Sequence, residues 1–284
     1  MKQSLCTITS NVETLPGVNL VWLEAPDIAA VAQPGQFITM RCGSLILRRP
    51  FSIHQVVIAS EAKQSQIALL FQVVGKGTLW LSQRQTGDKV DILGPLGNGF
   101  SIEPEARNLL LVAGGIGVAP LVFLAQRASS GHSITLIHGV RSAAEFFPFS
   151  PLPLTLNSHP SKGEGKREGE RRSNRLSLPD SIRFIPVTED GSAGKEGLVT
   201  DVLPDFLGWA DQVYACGPVD MYKAMAERRE TKVKKCQVSL EVRMGCGMGA
   251  CYGCTINTRK GLKKVCHDGP VFELDDILWE EVRV

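Results

Sequence analysis

Hydrophobic residues in the first hundred positions fall into six short runs: LCTIT, VNLVWLEA, GQFITMRC, FSIHQVVI, QIALLFQVV and KVDILGPLG. Turn signals at Pro16-Gly17, Pro34-Gly35 and Gly87-Asp88 punctuate them. Strands at that spacing, with no sustained helical period, predict a small antiparallel barrel over residues 1–100. From Asn108 the texture changes. Apolar runs alternate with helix-length segments: NLLLVAGG before VAPLVFLAQRAS, SITLIHGV before SAAEFFPF, IRFIPVT before GLVTDVLPDFL, and DQVYACG before PVDMYKAMAERRE. That rhythm predicts a parallel sheet with crossover helices over residues 101–236, so the fold class is β barrel plus α/β. After Gln237 a short VSLEV strand leads into a cysteine-rich lobe, residues 237–284.

Two stretches interrupt the pattern. Asn157 to Arg175 contains no hydrophobic residue, and a segment that buries nothing cannot offset its ordering entropy, so residues about 150–180 are expected to loop out as a polar insertion. ASEAKQSQ, residues 59–66, reads as a polar hairpin extension.

With 284 residues, 43% hydrophobic and 21% charged, the chain can fill two domain cores with an appendage. Its net charge is only +2, and the stretch Lys162 to Arg175, with six basic and three acidic residues, accounts for more than all of it. A nucleic-acid footprint is therefore excluded. The amino terminus MKQSLCTITSNVETLPG has no apolar signal core, and the longest uncharged apolar stretch, Leu109 to Ala125, falls short of the ~20 residues that span a bilayer. Both observations point to a cytoplasmic protein with no membrane partner.

Three motifs carry chemistry. Cys246, Cys251 and Cys254 stand in a C-x4-C-x2-C spacing with Cys266 twelve residues on, the plant-type arrangement for a [2Fe–2S] cluster. Gly245, Gly247, Gly249 and Gly253 permit the backbone to approach the sulfurs closely. The alternative for four cysteines is a structural zinc knuckle in a non-catalytic interaction module, which prefers paired C-x2-C units. Gly114, Gly115, Gly117 and Pro120 lie where a strand turns into a helix, a junction that can receive a dinucleotide pyrophosphate, and Cys216-Gly217-Pro218 ends a later strand at the same sheet edge. In the barrel, Arg49-Pro50-Phe51-Ser52, Gly75-Lys76-Gly77-Thr78 and Gly94-Pro95-Leu96-Gly97-Asn98-Gly99-Phe100 offer a guanidinium and hydroxyls that suit phosphates and ring nitrogens. The five histidines are dispersed, and no nucleophile–base arrangement stands out.

Taken in order, RRPFSI, VVGKGT, GPLGNGF, AGGIGVAPL, YACGPVDM and SLEVRMGCGMGACYGC…CHDGPVF resemble the electron-transfer subunit of dihydroorotate dehydrogenase type B, within the ferredoxin reductase superfamily. The resemblance implies an FAD-binding barrel, an NAD(H)-binding domain and a [2Fe–2S] lobe. By it, Arg49, Pro50, Phe51 and Ser52 contact FAD, Leu70, Phe71 and Gln72 run along it, and Gly77 and Thr78 meet its pyrophosphate. Ser52 would stand near flavin N5 and Cys216 near the nicotinamide ring, while Cys246, Cys251, Cys254 and Cys266 hold the cluster. The implied partner is an FMN-containing catalytic subunit that oxidises dihydroorotate in pyrimidine biosynthesis, in a heterotetramer of two each. The chain departs from that family at Gln72, usually Arg, and at Val242, commonly Glu. A related alternative is the small subunit of an NADH-dependent ferredoxin:NADP oxidoreductase or sulfide dehydrogenase, which commonly has Asp at the position of Cys246. Arg141, after the second strand of the nucleotide domain, leaves NAD against NADP open.

Overall fold

The computed structural model describes residues 1–59, 64–150, 176–177, 182–228 and 234–282. Most of the polar insertion and the tip of the 59–66 extension thus lie outside the described residues.

The amino-terminal unit is one antiparallel sheet of seven strands, β1 (Lys2–Leu15), β2 (Val18–Glu24), β3 (Phe37–Met40), β4 (Arg49–Ser52), β5 (Gln55–Val57), β6 (Gln66–Gln72) and β7 (Lys89–Leu96). Their spatial order is β4-β3-β7-β1-β2-β6-β5, with the short helices α1 (Pro26–Ala29) and α2 (Lys76–Ser82) set between strands. The two edge strands are consecutive in the chain, so the sheet curls round on itself. This is also why the run FSIHQVVI is two strands rather than one. At Ile53 and His54 the backbone changes partners, Ile53 donating to the Gln36 carbonyl and His54 to that of Ala68, and the chain passes from one sheet edge to the other. The curl encloses Ile8, Val21, Leu23, Ile38, Met40, Ile67, Leu69 and Ile92, all fully buried.

The second unit is a seven-stranded sheet ordered β13-β12-β9-β8-β14-β15-β18. Its strands are β8 (Asn108–Gly114), β9 (Ser133–Val140), β12 (Ile182–Thr188), β13 (Lys195–Glu196), β14 (Gln212–Cys216), β15 (Lys235–Ser239) and β18 (Val271–Glu273), while β10 (Phe149–Ser150) and β11 (Leu176–Ser177) pair separately. All its pairings are parallel except β15 with β18. Leu109–Ala113 is buried without alternation, as a strand covered on both faces must be. Helices α3 (Val118–Ala128), α4 (Val199–Val202), α5 (Pro204–Leu207) and α6 (Val219–Glu227) supply the cover. SAAEFFPF, expected as a crossover helix, forms only a single 3₁₀ turn, Ala143–Glu145, because its aromatic residues turn inward. Phe146 and Phe147 pack edge-on and stacked against the His138 ring instead of extending a helix.

The two units are locked together. Phe123 of α3 is buried among the barrel's core residues, and His54 Nδ1 donates to the Ala119 carbonyl at 2.7 Å. The cysteine lobe adds the hairpin β16 (Thr255–Thr258) and β17 (Gly261–Lys264), then closes through β18 onto β15. Strand β15 straddles the expected junction near residue 236 and carries the sheet into the lobe. The GPLGNGF segment seats the lobe on the barrel: the Asn98 amide donates to the Gly269 carbonyl at 2.6 Å and its side chain to that of Asp268 at 3.0 Å.

Candidate functional site

Two clefts open where the carboxyl ends of β8, β9 and β14 face the barrel. The smaller, about 440 Å³, is walled by Pro50, Phe51 and Ser52 of β4 and by Leu70, Phe71 and Gln72 of β6. Val74 and Thr78 stand at one rim and the segment Ser239–Met244 at another. Thr78 Oγ1 accepts the amides of Val74 and Gly75 at 2.9 and 3.1 Å, fixing the loop that opens α2 (Lys76–Ser82). Arg49 lies folded over Gly77, where a Cβ would come within 2.8 Å of its Cγ, and donates from Nη1 to the Leu47 carbonyl.

The larger cleft, about 710 Å³, is lined by Gly114, Gly115 and Ile116, by Val140 and Arg141, by Glu189, and by Pro218, Asp220 and Met221. Leu15, Pro16 and Val18 of the first barrel hairpin form its opposite wall. Gln72 and Ile116 line both clefts, so the two meet there. Gly114, Gly115 and Ile116, at the turn from β8 into the amino end of α3, face this space, a setting that favours a phosphate.

Not every expected nucleotide residue faces the cleft. A side chain at Gly117 would run into the Cys216 carbonyl, so that glycine serves the close approach of the β8–α3 turn to β14. Pro120 is buried inside α3. The Gly217 amide donates to the Tyr222 hydroxyl at 2.8 Å, and Cys216 is buried behind the surface with Sγ 3.6 Å from the Ser239 carbonyl. Burial above all, helped by the charge of Glu241, holds its thiol far above the usual range. Missed at the sequence level was the run Ser239–Met244, whose placement between β15 and the cysteines was the available signal. Glu241 is exposed at the wall of the smaller cleft, and desolvation by the protein around it raises its carboxyl.

The four lobe thiols lie at different depths. Cys254 and Cys266 are buried at the lobe core while Cys251 is exposed. Backbone amides converge on their sulfurs: Met248, Ala250 and Cys251 on Cys246 Sγ at 3.3 to 3.5 Å, Gly249 on Cys266 Sγ at 3.0 Å, and Cys266 on Cys254 Sγ at 3.4 Å. Gly249 is required there, with φ +86° and no room for a Cβ against His267. Burial opposes ionisation of Cys246, yet the surrounding amides and Cys251 lower its thiol to about 6, whereas burial and Cys254 push Cys266 up to about 12. Amides aimed at four thiols fit an anionic, thiolate-held cluster.

A curled flavin-reductase-type barrel, a nucleotide sheet meeting it at a shared cleft and a thiol lobe define an oxidoreductase of the ferredoxin reductase class. The model of the iron–sulfur cluster binding domain of dihydroorotate dehydrogenase B matches residues 241–278. A dihydroorotate dehydrogenase B (NAD(+)) electron transfer subunit from Desulforamulus reducens is 35% identical, covering 93% of this chain and 94% of the relative. One from Shouchella clausii is 34% identical over 98% of each. The chain belongs to this family of electron transfer subunits. Among solved structures, an NADH-dependent reduced ferredoxin-NADP oxidoreductase described for flavin-based electron bifurcation superposes with a TM-score of 0.76 at 27% identity, covering 98% of this chain and 91% of that one. A ferredoxin NADP+ reductase from Neisseria gonorrhoeae, at 18% identity and a TM-score of 0.54 over 79% of this chain and 89% of that one, shares the fold. The family name implies a catalytic dihydroorotate dehydrogenase as partner. No helix among the described residues is long and apolar enough to cross a membrane.

Proposed function

We propose that this chain carries electrons between NAD(H) and the FMN-containing catalytic subunit of a dihydroorotate dehydrogenase, by way of FAD and a [2Fe–2S] cluster. The observation that carries the reading is the meeting of the two clefts at Gln72 and Ile116, on the molecule that also bears the thiol lobe. When bound, these cofactors supply hydride exchange, the change from two-electron to one-electron transfer, and outer-sphere relay. The residues supply placement. Pro50, Phe51, Leu70 and Phe71 would wall the flavin, Ser52 would hydrogen-bond its ring, and Arg49, Gly77 and Thr78 would receive its phosphates. Gly114, Gly115 and Ile116, at the turn from β8 into α3, would hold the nicotinamide dinucleotide's pyrophosphate, and Pro218 would back the nicotinamide. Cys246, Cys251, Cys254 and Cys266 would ligate the cluster, with the Met248, Gly249 and Ala250 amides stabilising the negative charge on sulfur.

The catalytic partner, in an assembly of two copies of each chain, would oxidise dihydroorotate to orotate in pyrimidine biosynthesis, with net flow toward NAD. A cytoplasmic setting, where thiols stay reduced, accords with that role. The test is reconstitution. The purified chain should show flavin and iron–sulfur absorption, and mixed with the catalytic subunit it should support dihydroorotate-dependent reduction of NAD. Protein that reduces ferredoxin with NADH but ignores the catalytic subunit would transfer the reading to the ferredoxin:NADP oxidoreductase type, and protein that takes up zinc and no flavin would overturn both.

A further inference from the structure

The sheet order places β9 and β12 on the side of β8 opposite β14. With the nicotinamide half at the end of β14, the adenosine half of a dinucleotide crossing β8 must lie against the ends of β9 and β12. Arg141 follows β9 there and is 77% exposed. It is not at liberty. Glu145, from the 3₁₀ turn four residues on, accepts the Arg141 guanidinium at 2.7 Å from Nη2 and 3.4 Å from Nε, and accepts the Arg141 backbone amide at 3.3 Å. Glu189, whose amide donates to the Val140 carbonyl at 3.2 Å, adds a second carboxylate to the same end. Among the described residues Arg141 is the one basic side chain lining this cleft, and it is already paired with a carboxylate lining the same cleft.

Resting on the nucleotide reading above, the geometry points to Glu145 as the residue that selects NAD(H) over NADP(H). A ribose 2′-hydroxyl can donate to a carboxylate. A 2′-phosphate would have to displace Glu145 from Arg141 and would then face Glu189, a repulsion that differential binding converts into discrimination.

The test uses the full chain loaded with its cofactors. Calorimetric binding of 5′-AMP and adenosine 2′,5′-bisphosphate is measured beside flavin reduction by NADH and NADPH. Wild type should favour 5′-AMP and NADH. Glu145→Gln should shift the ratio toward the 2′-phosphorylated member of each pair by about tenfold or more, with some loss for NADH, and adding Arg141→Ala should reverse the gain. A ratio unmoved by Glu145→Gln, with 5′-AMP still bound, overturns the selector alone. Wild-type protein that binds neither probe overturns the nucleotide reading and the selector with it.

Discussion

Many of the residues lining the two clefts stand on or beside strands paired within continuous sheets, whereas residues 245–254, which carry three of the four lobe cysteines, form neither helix nor strand. Around the clefts, order comes from apolar burial: α3 is sandwiched between its own sheet and the barrel, with nine of its eleven residues buried. In the cysteine loop the backbone amides satisfy themselves on sulfur. The difference teaches where each region's shape is stored. The cleft walls are fixed by cores that exist without any ligand, while the loop's conformation is tied to its thiols, and groups that bind those thiols are coupled to its folding.

Removing a thiol should therefore separate the regions most sharply. Cys251→Ser takes away one sulfur of the set and one acceptor of the Cys246 amide. We expect it to abolish the iron–sulfur absorption and expose the loop to proteolysis, with flavin content near wild type and NADH still bleaching the flavin. Parallel loss of flavin and iron would show that the two regions do not store their shape separately.

Acid should act on the cleft side through its own groups. His54, at the seam with α3, and His138, under the Gly115 carbonyl, are both fully buried, and desolvation lowers each to about 4 despite the backbone bond each makes. Such an imidazole is neutral in the fold. Between pH 6.5 and 4 the unfolded chain takes up protons that the folded chain does not, so the stabilisation is complete above 6.5 and is lost as the pH falls. For one histidine the loss is on the order of 2 kcal/mol at pH 5. Unfolding followed by flavin fluorescence at pH 7.5 and pH 5 should show a smaller acid penalty in His54→Gln than in wild type. Identical penalties would mean that His54 is not the group that titrates.

Tyr222 joins the two regions and offers a finer probe. Its hydroxyl accepts the Gly217 amide and donates to the Ser239 carbonyl at 2.7 Å, while its ring packs on Trp279 of the carboxyl-terminal tail. Tyr222→Phe leaves a backbone donor and acceptor without that partner, at a cost of about 1–3 kcal/mol. The expected result is a thermal midpoint lower by several degrees and a raised KM for NADH, with unchanged iron–sulfur absorption. An altered cluster spectrum would show the tail to be part of the loop's support.

What the sequence disclosed follows the same division. The C-x4-C-x2-C spacing is a local pattern, and amides of the same loop do converge on its sulfurs, while Pro50–Ser52 and Leu70–Gln72 line one cleft together because they are strand residues with fixed sidedness. Cys216, expected near the nicotinamide ring, is buried: a strand-end residue can turn to either face, and here Tyr222 and Ser239 draw it inward. GPLGNGF reads as one of the barrel segments suited to phosphates and ring nitrogens, but its Gly97 makes room for Gly269 and Pro270 of the lobe, a long-range contact invisible in a local motif. The role of Arg141 depended on a carboxylate four residues away whose reach is set by a 3₁₀ turn where a helix was expected.

The smallest effect is expected from the largest change in sequence. Asn157 to Arg175 carries charge but no apolar residue, so it has nothing to add to either core. The cost of closing a chain segment varies only as the logarithm of its length, roughly 0.6 kcal/mol per doubling, and a short Gly-Ser link in place of these residues should change the stability of the nucleotide sheet by no more than that. The nearest cleft residue before it, Phe147, is held by its stacking on His138. We therefore expect the deletion to leave flavin content and NADH oxidation with an artificial acceptor within about twofold of wild type. A larger loss confined to NADH affinity would place the segment over the adenosine end of the large cleft. The cleft side would then share with the cysteine loop a dependence on residues that belong to neither core, and the division between the two regions would no longer hold.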